Sequence, residues 1–306
     1  MALSKLLISK ERPDYVICYG YTLKPQVALL LWAIWTKTPF ALIGDANYFC
    51  DRVTGLKRIA KTAWLRFVTK KAAALLSIGR ASKLFWEKYG ATASQLFTSC
   101  LAVDNEFFRK AGEAGKKKAG ELRAQLKFEG KVVFLFVGRL IKRKNVDLVL
   151  QAARRLESDR FGIVIVGSGE ESESLKRQFG DDPNVFFAGN IAPNELPVFY
   201  QMADVLVLPA DQEPWGLVIN EAMNCGLAVI AHQHCGAAID LIDAENGIKL
   251  QGFSIEELVA GIQLLILDSV KLRAMQKSSQ TKIQHWSIDN AAAGIIQAVE
   301  FTHRKK

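Results

Sequence analysis

The sequence predicts an α/β protein built as two doubly wound domains, each a parallel sheet with helices on its faces. Three observations carry that expectation. Short apolar runs of strand length alternate with helical segments along most of the chain. A polar stretch rich in glycine and lysine, within residues 104–130, separates two such series. In the second series, each group able to carry chemistry falls just after an expected strand, where this architecture collects ligands.

In the first series, Tyr15 to Tyr19 reads as a strand after the Pro13-Asp14 turn. Lys24 to Thr36 reads as a buried helix, and Phe40 to Ile43 as a strand ending at Gly44-Asp45. Leu56 to Ala74 is an expected helix, Leu75 to Ile78 a strand, Ala81 to Tyr89 a helix closed by Gly90, and Leu96 to Ser99 a short strand. The stretch A-G-E-A-G-K-K-K-A-G then has the composition of a linker.

The second series is clearer. Val132 to Val137, Gly162 to Val166, Val185 to Phe187, Val205 to Leu208 and Ala228 to Ala231 are five expected strands. Helices are expected at Val146 to Leu156, Glu170 to Phe179, Glu195 to Met202 and Leu217 to Asn224, the last stopping at Gly226. Leu258 to Leu267, Lys271 to Gln280 and Asn290 to Thr302 close the chain as helices.

Composition narrows the class. Hydrophobic residues make up 50% of the chain and charged ones 23%, the balance of a globular protein. The five cysteines, Cys18, Cys50, Cys100, Cys225 and Cys235, are odd in number and lack C-x-x-C spacing, which points to reduced thiols in a cytoplasmic protein. The net charge of +9 is uneven: residues 1–125 hold 21 basic against 9 acidic side chains, the remainder 19 against 22. No apolar run reaches the ~20 residues of a membrane span. The first ten residues, M-A-L-S-K-L-L-I-S-K, run into charge rather than a cleavage site, unlike a signal peptide. Localisation is therefore expected to be cytoplasmic, with peripheral contact at the inner membrane surface open to a basic first domain.

Several residues could carry chemistry. Gly138-Arg139, with Lys144 five residues on, follows one strand and could hold a diphosphate, or be an exposed basic loop. Gly167-Ser168-Gly169 permits close approach of a ligand, or is a tight turn between strand and helix. Gly189-Asn190-Ile191 could present backbone groups to a flat base, or be a bare loop. Glu213 lies in a loop and Glu221 on the helix that follows, eight residues apart around a helix start that suits phosphate, while carboxylates suit sugar hydroxyls. His232-Gln233-His234-Cys235 supplies ligand types for a metal but no fourth ligand nearby, and no D-x-D occurs, so no metal is expected. Leu56, Ile59, Ala63 and Phe67 share a helical face beside Lys57, Arg58, Lys61 and Lys70. That pattern serves either a core-facing helix with a solvated basic side or one lying on anionic membrane. A nucleic-acid partner is not expected, because no basic motif interleaved with aromatics accompanies the charge.

Taken together, G-R-x(4)-K, then G-x-G, then F-x-G-x-I, then E-P-W-G-L-V-I-N-E-A-M-x-x-G-L-A-V-I-A resembles family 4 of the glycosyltransferases. V-D-N-E-F-F at the domain junction, C-G-A-A-I-D-L-I-D-A-E-N-G-I and H-W-S-I-D-N-A-A-A-G extend the likeness over nearly all of residues 100–300. The resemblance implies a GT-B fold of two Rossmann-like domains: an acceptor-side domain over 1–115, a nucleotide-sugar domain over 116–285, and a last helix over 286–306 packing back on the first. It also implies a retaining mechanism with a nucleotide sugar as substrate and no cofactor or metal. By position, Arg139 and Lys144 with Gly138 would hold the donor diphosphate. Glu213 would hold hydroxyls of the transferred sugar, with amides near Trp215, Gly216 and Leu217 at the same group or the phosphates. Glu221 would hold the ribose, and backbone near Ile191 the base.

The likeness has departures. Asn145 stands where the family usually has glycine, and asparagine tolerates a left-handed backbone. Trp215 replaces a smaller aromatic, which is expected to alter the sugar pocket. Where many members carry a histidine, this chain has Gly44-Asp45, so Asp45 is a candidate for orienting hydroxyls, or else a turn cap. The first domain also lacks the early strand and glycine-rich loop of the family, which implies a fragment, a late start or a truncated paralogue. The expected function is transfer of a hexose from a nucleoside diphosphate sugar to a glycan or lipid-linked acceptor. The alternative is a catalytically silent nucleotide-sugar-binding paralogue or partner subunit.

Overall fold

The structure is a computed structural model that describes residues 12–156 and 159–304. The reading of the first ten residues lies outside them. The chain divides into two compact units, residues 1–101 with 288–306, and residues 102–287.

The first unit contains β1 (Val16–Tyr19), α1 (Lys24–Trp35), β2 (Phe40–Ile43), α2 (Gly55–Lys71), β3 (Ala74–Ser77), α3 (Arg80–Lys88) and β4 (Leu96–Thr98). The strands form a parallel sheet in sequence order, β1-β2-β3-β4. Parallel crossovers share one hand, so strands added in sequence order send their helices to one face. One core cluster accordingly joins Leu30 of α1, Leu65 of α2 and Phe85 of α3 to Phe40, Leu42 and Leu75 of the sheet. The described strands of this sheet show no reversal of order.

Helix α2 corrects the reading of a core-facing apolar side. Leu65, Val68 and Thr69 are its buried residues. Leu56, Ile59 and Phe67 are 84%, 66% and 43% exposed, and Ala63 is exposed as well. The longer apolar stripe faces out.

The second unit opens with α4 (Asn105–Gln125), a helix of 21 residues where a linker was expected. Asp104 caps it by accepting from the Phe107 amide at 2.8 Å. Two of the three glycines that suggested a linker are contact points instead. A Cβ on Gly115 would lie 3.1 Å from Val198 Cγ2, and one on Gly112 would lie 3.2 Å from Gln201 Oε1. The division of the chain thus falls at Leu101 and Ala102, ahead of the helix and not at residue 115 within it.

Thereafter come β5 (Val132–Val137), α5 (Val146–Arg154), β6 (Phe161–Val166), α6 (Ser172–Phe179), β7 (Val185–Gly189), α7 (Leu196–Met202), β8 (Val205–Leu208), α8 (Leu217–Asn224), β9 (Ala228–His232), α9 (Gly236–Leu241), β10 (Gly247–Leu250), α10 (Ile255–Leu267) and α11 (Ser269–Ile283). The sheet is parallel and has six strands in the order β10-β9-β8-β5-β6-β7, one more than expected. The strand missed, β10, is short and follows the polar turn D-A-E-N. Its first residue is Gly247, where a Cβ would meet the Val229 carbonyl oxygen at 2.2 Å. The chain runs from β5 out to β7, then returns to β8 on the other side of β5. That reversal is a topological switch point, and it opens a crevice at the carboxyl ends of β5 and β8.

The last helix, α12 (Ile288–Arg304), belongs to the first unit. Its Ala298 and Ile295 pack on Ala41, Ala74 and Leu76, the sheet face that α1 to α3 leave uncovered. The approach is close: a Cβ on Gly294 would lie 1.8 Å from the Thr98 carbonyl oxygen.

Candidate functional site

The loops flanking the switch point are bonded to each other. After β5 the backbone runs from Gly138 into a 3-10 turn at Lys142–Lys144, which ends at Asn145 in the left-handed conformation, φ 52°. Asparagine holds that conformation as the sequence suggested, and its amide adds something glycine cannot: it donates to the Pro209 carbonyl at 2.9 Å. The Asp211 amide donates to the Arg143 carbonyl at 2.9 Å. The Arg143 guanidinium in turn donates to the Gln212 carbonyl. Lys144 pairs with Glu213, their side chains 12% and 14% exposed. The cation and carboxylate predicted from separate motifs are thus brought together, in a place dry enough to strengthen their interaction. Arg139 follows β5 and is exposed.

Gly216 precedes α8 at φ 97°, and no side chain caps the helix start. A Cβ there would meet Cys235 Sγ at 3.0 Å and Glu213 Cγ at 3.2 Å, so glycine sets how closely Glu213 folds over the turn. Cys235 lies beneath and donates its thiol proton to the Trp215 carbonyl at 2.9 Å. Burial, and then the Glu213 charge, push its pKa up to about 12, so it is inert as a nucleophile. Leu217, the first residue of α8, is exposed.

Trp215 departs from its expected effect on a sugar pocket. Its indole is buried, stacks on Trp286 at 5.6 Å with planes 17° apart, and donates to Asn220 Oδ1 at 2.9 Å. The side chain serves the core, and only its backbone is left to meet a ligand.

Glu221 lies on α8, half-buried, and accepts a hydrogen bond from the Tyr200 hydroxyl at 2.5 Å. Burial pushes its pKa up, and the Tyr200 bond works against that rise. Ile191 follows β7 and lines a hollow of about 330 Å³ with Lys118, Leu122, Glu195 and Phe199. At Gly167-Ser168-Gly169 the structure favours the tight turn. A Cβ on Gly167 would lie 1.9 Å from the Gly138 carbonyl oxygen and one on Gly169 would lie 2.3 Å from that of Leu140, so neighbouring loop backbone lies where a side chain would stand and only glycine fits either place.

In the first unit, Asp45 follows β2 and accepts from the Tyr19 hydroxyl. It is not the cap of the next turn, which Asn47 provides by accepting from the Phe49 amide at 2.8 Å. Burial, then the hydrogen bond and charge of Asp45, push Tyr19 up to about 12, so the phenol stays a donor. Tyr19, Arg143 and Tyr200 were not legible as site residues, because each is recognised only by the carboxylate or carbonyl its fold places opposite. His232 is buried and stacks on Phe253 at 4.1 Å. Among the described residues no group of three His, Cys, Asp or Glu side chains is placed to hold a metal ion.

Sequence comparison finds the family described as "Glycosyl transferases group 1" over residues 118–282, more than half of the chain. The chain belongs to that family. The group 1 match spans β5 to β10, with both loops of the switch point. The chain is 30% identical over 171 residues to a GDP-mannose-dependent alpha-(1-6)-phosphatidylinositol monomannoside mannosyltransferase of Mycolicibacterium smegmatis, covering 52% of this chain and 44% of the relative. It is 26% identical over 230 residues to a D-inositol 3-phosphate glycosyltransferase of Rhodococcus erythropolis, covering 71% of this chain and 51% of the relative. The chain thus spans about half the length of these curated relatives. Among solved structures, it is similar to Anabaena HepE in complex with UDP-glucose, at a TM-score of 0.75 and 19% identity, with 97% of this chain and 81% of that one covered. Sucrose-phosphate synthase from Thermosynechococcus elongatus gives a TM-score of 0.76 at 19% identity, with 96% and 74% covered. These likenesses are of fold, which is GT-B. Among the described residues no helix is long and apolar enough to cross a membrane.

Proposed function

We propose that this group 1 protein is a retaining glycosyltransferase that moves a hexose from a nucleoside diphosphate sugar to a glycan or lipid-linked acceptor. The observation that carries the reading is the Lys144–Glu213 pair at the switch point of the second sheet. As the donor bond breaks, negative charge grows on the leaving diphosphate. Lys144 and Arg139 meet that charge, and the uncapped start of α8 adds its dipole. Glu213, held by Lys144, accepts from hydroxyls of the sugar, and Glu221 accepts from the ribose. Asp45, oriented by Tyr19, is an acceptor for hydroxyls on the first unit. The reaction so described needs no metal, since fixed cations neutralise the leaving group. Curated relatives act with GDP-mannose and on inositol-containing acceptors by name, and HepE was solved with UDP-glucose, which supports a nucleotide-sugar donor. Glu213→Ala should abolish transfer in a full-length protein while donor still binds; undiminished transfer would sink the assignment. A silent binding module would instead bind donor without transferring sugar to any acceptor offered.

The exposed stripe of α2 supports a membrane-side acceptor. Leu56 and Ile59 stand out from a helix that also carries Lys57, Arg58, Lys70 and Lys71, the pattern of a helix lying in an anionic interface. The protein should sediment with vesicles containing phosphatidylglycerol and not with phosphatidylcholine alone. Leu56→Ser with Ile59→Ser should release it, and equal binding by wild type and variant would remove this contact from the reading.

A further inference from the structure

The carboxylate assigned to the ribose does not stand by itself. Tyr200, fully buried on α7, reaches Glu221 Oε2 with its hydroxyl at 2.5 Å. The ring that carries this hydroxyl is fixed from the other side, edge-on to Phe108 of α4 with centroids 6.1 Å apart. Both helices are committed to each other by the glycine contacts described above, so the phenol has little freedom to leave. Among the described residues, the other titratable group facing Glu221 is Cys225, which closes α8. Its thiol donates to the Phe108 carbonyl, and burial followed by the Glu221 charge pushes its pKa up to about 12. Glu221 is thus served by a phenol and faced by a neutral thiol, with no cation among the groups that shift it.

This environment differs from that of Glu213, which is held by an ammonium. A carboxylate bonded to lysine keeps its charge but shares it. A carboxylate bonded to a buried phenol has one oxygen fixed in place and keeps the other as an acceptor for neutral hydroxyls.

We propose that Tyr200 is a positioning residue for the donor nucleoside: by fixing Oε2 of Glu221 it presents Oε1 to the vicinal hydroxyls of a ribose, and so selects ribonucleoside over 2′-deoxyribonucleoside diphosphates. The proposal rests on the reading of Glu221 as the ribose acceptor. A carboxylate set to meet two adjacent hydroxyls loses a partner when the 2′-hydroxyl is absent, and a site built to hydrogen-bond a hydroxyl discriminates strongly against its loss. Tyr200 touches no reacting atom, so its effect belongs to donor affinity and not to the chemical step.

The test compares wild type, Tyr200→Phe and Glu221→Gln in the whole chain, with UDP, GDP and their 2′-deoxy counterparts as probes, by calorimetry from pH 5 to 8. Loss of a hydrogen bond to a charged group is expected to weaken UDP or GDP binding by roughly 10-fold in Tyr200→Phe. The same variant should shrink the ratio of ribo- to deoxyribonucleotide affinity. It should also move the acid limb of binding to higher pH, because the bond that holds the Glu221 pKa down is gone. Glu221→Gln should weaken binding and abolish that limb. Phenylalanine keeps the ring, so the core is retained; Tyr200→Met, a flexible apolar side chain without a hydroxyl, should behave alike. If Glu221→Gln weakens binding but Tyr200→Phe and Tyr200→Met leave affinity, pH profile and ribose preference unchanged, Tyr200 only packs and the proposal fails. If Glu221→Gln itself binds as wild type does, the ribose reading fails, and the proposal with it.

Discussion

At the scale of single residues, the acids of this chain are sorted by what the fold places opposite them. Glu213 meets a lysine, Glu221 a phenol and Asp45 another phenol, whereas Asp51 meets an entire cluster. The Asp51 side chain is 3% exposed and accepts from Lys61, Lys88 and Tyr89, each at 2.6 Å. Burial alone would push its pKa up, but the three hydrogen bonds outweigh that and bring it from 3.8 down to about 2. A pKa depressed on folding stabilises the protein above the unfolded value, and that stability is lost as pH falls through the folded one. Asp51→Asn should therefore cost roughly 1–3 kcal/mol at pH 7. The difference in melting temperature from wild type should hold down to about pH 5 and close as pH nears 2. A gap that stays open at pH 2 would mean packing, not charge, is what the substitution removes.

At the scale of elements, the glycines decide where helices lie. The close seat of α12 on β4 requires Gly294, where a Cβ would be 1.8 Å from the Thr98 carbonyl oxygen. Gly294→Ala must push the helix off the sheet face formed by Ala41, Ala74 and Leu76. A loss of about 2–4 kcal/mol is expected, as for overpacked contacts that cannot relax, read as faster hydrogen exchange in β3 and β4; unchanged exchange there would contradict the packing. These contacts also explain what the sequence showed and what it hid. Strands β5, β6 and β8 were legible because they are buried on both faces, so their apolar runs are unbroken. Helix α4 was not, because its glycines and lysines look like a linker until α7 lies against them. The apolar stripe of α2 was visible as a pattern, but nothing in a helical period says whether core or solvent lies beyond it.

At the scale of the whole molecule, each unit has a parallel sheet of its own, and the chain passes between units after Leu101 and again before Ile288. Among the described strands, the reversal of order lies in the second unit, and with it every residue assigned to the donor. The motifs after β5 and β8 were readable one by one in the sequence; their bonding into one crevice was not, because 69 positions separate Lys144 from Glu213. In the proposed reaction this crevice holds the diphosphate of a nucleotide sugar. Calorimetric titration of wild type and Lys144→Ala with UDP- and GDP-sugars tests it most directly. Wild type should bind at least one of these donors, and the alanine variant, still folded, should bind it roughly 10- to 100-fold more weakly, as loss of a charge-assisted contact requires. Equal affinity in the two proteins, or no binding of any donor by wild type, would contradict it.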